Sequence, residues 1–141
     1  MDILHDLHVA SAPAQVFDAA SLPRSLDRWW TERSLGDPRY GAEYTFVFGD
    51  ADWKAVVIEC SRPEAIVWEF LEADEDWTGT RFGFRLEPTD SGTRVRFAHR
   101  GWRHVNGHYR RTSYCWAQYL RLLKDLVEND HVVPFEERRF G

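Results

Sequence analysis

Between Gly41 and Arg100 the chain alternates with a period of two. Tyr44, Phe46 and Phe48 flank Thr45 and Val47, while Ile66, Trp68 and Phe70 alternate with Val67, Glu69 and Leu71. Thr80, Phe82, Phe84 and Leu86 alternate with Arg81, Gly83, Arg85 and Glu87; Val95, Phe97 and His99 alternate with Arg94, Arg96, Ala98 and Arg100. Successive side chains of a strand point to opposite faces, so each run predicts a strand with one apolar and one polar face. Trp53 to Cys60 predicts another, inward with either Trp53, Ala55 and Val57 or Val56, Ile58 and Cys60. Gly49–Asp52, Ser61–Glu64, Asp74–Asp76 and Pro88–Gly92 supply the turns. Connections this short imply antiparallel neighbours, and the charged faces imply a sheet wet on one side.

Ile3, Leu4, Leu7 and Val9 predict an opening strand over about 2–10. Ser11-Ala12-Pro13 reads as a helix start with Ser11 as N-cap, and Val16, Phe17 and Ala20 form its apolar face. Ser21-Leu22-Pro23 repeats the signal, with Leu22, Leu26, Trp29 and Trp30 on one helical face. Tyr109, Thr112, Trp116, Leu120, Leu123 and Val127 mark the longest stripe, a helix over 108–128 about 30 Å long. Asn129-Asp130 and Pro134 end it, leaving residues 130–141 as a tail pinned by Phe135 or Phe140. The pattern predicts one α+β domain over 1–141. A curved antiparallel sheet of about six strands must curl around a long C-terminal helix, with two short helices after the first strand, to bury its apolar face. The space between sheet and helix, lined by alternating rings, predicts a pocket.

Hydrophobic residues make up 43 % and charged residues 29 %, a soluble globular balance. No apolar run reaches the roughly 20 residues that cross a bilayer, and Met1–Asp6 lacks a signal-peptide pattern, so the expected location is cytoplasmic. The net charge of −5 argues against nucleic acid. The basic cluster Arg100, Arg103, Arg110 and Arg111, interrupted by His104 and His108, reads as a solvated loop and helix start. Cys60 and Cys115 lack metal-ligand spacing and read as buried thiols. Aromatic residues reach 15 %, with 7 Trp, which suits a ligand pocket as well as a core.

Ala12-Pro13-Ala14-Gln15-Val16-Phe17-Asp18-Ala19, Trp29-Trp30-Thr31, Val57-Ile58-Glu59-Cys60 and Ala65-Ile66-Val67-Trp68 follow one another in a familiar order. Gly92-Thr93-Arg94-Val95, His99-Arg100-Gly101-Trp102, and Trp116 followed by Leu120 and Leu123-Lys124 continue it. In this the chain, from residue 2 to about 129, resembles the SRPBCC superfamily, also called START-like or helix-grip. Within it, the chain looks like the branch of heat-shock-protein ATPase-activator homologues. The resemblance implies a helix-grip fold with a cavity and supplies no catalytic motif. Similar domains transfer lipids, bind hormones, cyclise polyketides or assist chaperones, and fold alone does not choose among these.

His99 shares the inward face of Val95 and Phe97, where desolvation favours a neutral imidazole. It is a candidate polar anchor, with Glu59 as partner in one of the two registers. His104 and His108 lack the intervening Glu of a zinc-protease signature, and neither metal nor cofactor is expected. The expected ligand-lining set is Phe46, Phe48, Trp53, Trp68, Phe70, Phe82, Phe84, Phe97, His99, Trp102, Tyr109 and Trp116. The leading expectation is non-catalytic binding of a small apolar or aromatic molecule. The alternatives are a cyclase or dehydratase using His99 as acid or base, and an interaction domain with a chaperone partner.

Overall fold

In the computed structural model, which describes residues 1–138, the alternating runs become strands of one sheet. The strands are β1 (Asp2–Val9), β2 (Arg33–Leu35), β3 (Glu43–Phe48), β4 (Ala51–Ser61), β5 (Ala65–Glu72), β6 (Arg81–Thr89) and β7 (Gly92–Arg100). Every pairing is antiparallel, and the order is β1-β7-β6-β5-β4-β3-β2. The described chain thus has seven strands rather than about six. The extra one, β2, spans three residues and pairs with Thr45–Val47, too short for alternation to reveal.

Burial and one bulge settle the face of β4. Ala55 and Val57 are buried, so the register with Trp53, Ala55 and Val57 inward holds up to Val57. There the pairing shifts: Val57 lies opposite Trp68, but Glu59 lies opposite Val67 and Cys60 opposite Ile66. The extra residue, Ile58, turns Glu59 to the outer face.

Helix α1 (Pro13–Ser21) starts one residue later than the serine signal suggests. Pro13 takes the first helical position, Ala12 is the N-cap, and the Ser11 hydroxyl bonds the Gln15 side chain instead. Helix α2 (Pro23–Leu26) is a single turn. The Asp27 carboxylate accepts from Thr31 and Ser34 hydroxyls at 2.7 and 2.9 Å, and this local bonding competes with continuation of the helix. Trp29 and Trp30, expected on a helical face, therefore leave from a turn, yet both are buried.

Helix α3 (Gly107–Asn129) is the long element the sheet wraps. Asn106 caps it, its side-chain oxygen accepting from Tyr109 N–H at 2.9 Å, and Asp130 ends it in the left-handed region at φ 52°. Thr112, Trp116, Leu120, Leu123 and Leu126 face the sheet. Of the residues expected to pin the tail, Phe135 is half-buried and Phe140 lies outside the described residues. The described anchor is Arg138, which donates to the carbonyls of Val133, Thr31 and Asp27 at 2.6, 3.2 and 3.0 Å.

Candidate functional site

The middle of the grip is filled. Phe82 stacks on Trp68 at 4.7 Å and on Phe70 at 5.0 Å between ring centroids, and Phe97 meets Trp116 at 4.5 Å. The plug is Trp30, whose ring lies 4.8 Å from Phe46, 5.2 Å from Phe48, 5.3 Å from Phe82 and 5.1 Å from Trp116. One indole, delivered by the turn after α2, occupies the space that a single helix leaves beneath a curled sheet. The expected cavity between α3 and the strands carrying Trp68, Phe82, Phe84 and Phe97 is therefore packed core. Phe46, Phe70 and these four are all nearly inaccessible, and Phe84 packs edge-on against Trp29 and Phe97.

Open space survives at one edge of this core, as a cleft of about 210 Å³. Trp30, Phe48, Trp53, Trp77 and Trp116 form its aromatic walls. α3 supplies the rest: His108, Arg111, Thr112, Cys115 and Tyr119, a ladder at helical spacing. Of the twelve expected lining residues, Phe48, Trp53 and Trp116 reach this cleft. Trp102 is buried against His99 and His108, and Tyr109 donates its hydroxyl to the Asp2 carbonyl at 2.7 Å. The missed residues of α3 had a signal in the sequence: positions 108, 111, 112, 115 and 119 share one helix face with the expected Trp116. Trp77 had none, since it stands in the acidic loop after β5.

His99 is fully buried and fully engaged. The Trp116 indole N–H donates to its Nδ1 at 3.1 Å. Thr80 donates its hydroxyl proton to the Trp77 carbonyl at 2.5 Å, so its oxygen accepts from His99 Nε2–H at 2.8 Å. The imidazole is thereby fixed as the neutral Nε2–H tautomer. Burial, with a smaller contribution from the nearby His108, pushes its pKa from 6.5 to about 3. Glu59 is far from it in role, forming a two-pronged ion pair with Arg85 on the outer face, both distances 2.9 Å.

The rim carries its own chemistry. His108 Nδ1 lies 2.7 Å from Asp76, and its Nε2 lies 3.7 Å from Asp74. The bond from His108 holds the Asp76 carboxyl below its ordinary range. Burial raises the Cys115 thiol, with Arg111 opposing, which keeps it in the poorly nucleophilic protonated form. The Trp77 indole N–H is buried with no hydrogen-bond partner among the described residues.

Residues 10–128 match the model of the family described as Activator of Hsp90 ATPase homolog 1-like protein. No curated protein matches the chain in sequence. Among solved structures, the Aha1 dimer from Colwellia psychrerythraea is 26 % identical with a TM-score of 0.83, covering 92 % of this chain and 97 % of that one. Protein MLL2253 from Mesorhizobium loti has a TM-score of 0.83 at 16 % identity, over 94 % of this chain and 100 % of its own. CalU16 from Micromonospora echinospora reaches 0.74 at 16 % identity, over 97 % and 82 %. At such identities the last two speak for the helix-grip fold alone.

Proposed function

The chain belongs to the Activator of Hsp90 ATPase homolog 1-like family, a SRPBCC-type domain, and from that premise we propose that the edge cleft binds a small aromatic molecule. The observation that carries this reading is the cleft itself: about 210 Å³ walled by six aromatic side chains, four tryptophans, Phe48 and Tyr119. An engineered apolar cavity of about 150 Å³ admits benzene, so this volume suits one or two fused rings. Among the described lining groups, Arg111, His108 and Thr112 stand at the helix edge, so an acidic or hydroxyl substituent would point there while the rings stack on Trp30, Trp77 and Trp116. No acid–base role is assigned to His99, because both its nitrogens are committed inside the core.

Fluorescence titration with naphthalene and 1-naphthoate tests the reading. Both should quench tryptophan emission, and Arg111→Ala should weaken 1-naphthoate only. Thr112→Phe should fill the cleft and abolish both, with the melting temperature confirming that the variant folds. Absence of quenching by either compound in the wild-type protein would refute it. The family supports a second reading, regulation of a heat-shock ATPase. Its check is the steady-state ATPase rate of an Hsp90-type chaperone with and without this protein.

A further inference from the structure

The turn that delivers the Trp30 plug is held by the far end of the chain. Trp29 and Trp30 lie between Asp27 and Thr31, and Arg138 bonds both of the residues that bracket them. Its Nη2 donates to the Asp27 carbonyl at 3.0 Å and its Nη1 to the Thr31 carbonyl at 3.2 Å. The planar guanidinium fixes the spread of these two donors, so one side chain clips both ends of the turn together. Its Nε turns back to the Val133 carbonyl at 2.6 Å, which folds the tail on itself. The start of the tail is tied to the same turn, where Arg28 pairs with Asp130 at 3.0 Å. Between the two anchors Val132 packs on the core. Residues 130–138 thus form a strap fastened at both ends to the segment that carries Trp30.

The two indoles of the turn are not held alike. Trp29 N–H donates to the Ala19 carbonyl at 2.9 Å. The Trp30 indole has no hydrogen bond among the described residues, so ring contacts alone seat it. It can leave its seat without orphaning a hydrogen-bond partner. The fastening is of a kind that opens. Arg138 is 7 % exposed, and among the described residues no carboxylate forms an ion pair with it. Burial pushes its pKa down, against the opposing influence of Tyr119, Asp27 and Glu136. Its attraction to neutral carbonyls is set against the loss of its water, and the difference is small. The exposed Arg28–Asp130 pair adds little. Tyr119 is also a wall of the cleft, so strap and cleft meet at one residue.

Resting on the reading of the edge cleft as a ligand site, we propose that residues 130–138 are an autoinhibitory strap that regulates it. Fastened, the strap keeps Trp30 seated and limits the cleft to one or two fused rings. Released, it lets the turn relax and the Trp30 ring swing out. The cleft then extends inward to Phe46 and Phe82, which Trp30 now covers, and admits a third ring. The tail therefore sets the size of ligand taken, while the aromatic walls and Arg111 set its chemistry.

Hydrogen exchange of the full chain tests the strap without a ligand. The amides of Trp29, Trp30 and Thr31 donate to the Leu26 carbonyl and report on the turn. In Arg138→Gln they should exchange about tenfold faster or more, while those of β6 and the middle of α3 keep their protection. The second readout is the ratio of affinities for anthracene-9-carboxylate and 1-naphthoate, which should rise about tenfold in the variant. Leu120→Ala, a destabilising change away from the strap, should speed exchange throughout and leave that ratio unmoved. Should Arg138→Gln misfold, Asp130→Asn, which removes only the exposed anchor, should shift both readouts the same way by about two- to threefold. Exchange that rises evenly over the whole chain overturns the proposal, since the tail would then add only general stability. An unchanged ratio in a folded variant that binds 1-naphthoate overturns it as well. If the wild-type protein binds neither compound, the cleft reading falls, and the exchange pattern alone decides whether the tail restrains Trp30.

Discussion

His99→Gln removes a buried titrating group while keeping a side chain that can donate and accept a hydrogen bond. Its effect on stability depends on pH, and the sign follows from burial. In the folded protein the imidazole pKa lies near 3, against 6.5 for the free group. As pH falls, the unfolded chain takes up this proton and the folded one does not. The neutral ring's contribution is therefore complete above the unfolded value and is lost as pH falls toward the folded one. Between pH 7 and pH 5 that single linkage amounts to about 2 kcal/mol, at about 1.4 kcal/mol per pH unit once the unfolded histidine is mostly charged. The variant is less stable at pH 7 by about 1–3 kcal/mol, because Trp116 N–H and the Thr80 oxygen lose well-placed partners. It should, however, lose about 2 kcal/mol less than the wild type on going to pH 5. Urea unfolding followed by tryptophan fluorescence at both pH values measures this. The carboxyls of Asp76, Asp125 and Glu128, held low by their partners, act in the same direction at lower pH and are common to both proteins. Parallel pH profiles would refute the reasoning, since they would mean that His99 protonates without unfolding.

Leu120→Ala should cost about 2–5 kcal/mol in denaturant unfolding, the range for emptying a packed apolar site; Leu120 is only 2 % exposed on the sheet-facing side of α3. A loss below about 0.5 kcal/mol would contradict that packing. Trp30→Ala should cost about 3–5 kcal/mol and join the edge cleft to the core, so that the variant, if folded, binds larger polycyclic compounds than the wild type. Isothermal titration with anthracene-sized acids shows whether it does. Arg138→Met should destabilise by about 1–3 kcal/mol, because the Thr31 and Asp27 carbonyls lose a charged donor. Unchanged stability on thermal melting would mean that the tail is not anchored there.

What the sequence disclosed depended on whether a signal was periodic. Four strands announced themselves because inward rings alternate with outward arginines, threonines and glutamates, and His99 was placed on the inner face by Val95 and Phe97 alone. The stripe from Thr112 to Leu123 located α3 in the same way. Periodicity failed where the backbone breaks it. Ile58 bulges out of β4, and a reader counting by twos from Val57 sends Glu59 to the wrong face. β2 is too short to repeat anything. Trp29-Trp30 fits a helical stripe, yet α2 stops after one turn and the two indoles swing inward from a bend.

That last misreading decides where a ligand could go. The pattern of strands and helix, taken alone, predicts a void at the centre of a curled sheet. It omitted a side chain that belongs to neither. With Trp30 inserted, the rings of Phe46, Phe82 and Trp116 have a partner where solvent or ligand would stand, and dispersion contacts replace an apolar void. Trp30 is itself 2 % exposed, so it closes the centre and also forms the inner wall of the remaining cleft. The opening is thereby moved outward along α3, from the purely apolar level of Leu120 and Leu123 to the turns that present Arg111, Thr112 and Cys115. Polar chemistry reaches the cleft because the plug displaced it toward the helix edge. The proposed ligand would meet aromatic walls on one side and a charged helix face on the other, a combination that a central cavity lined by Phe82, Phe84 and Phe97 has no residues to provide.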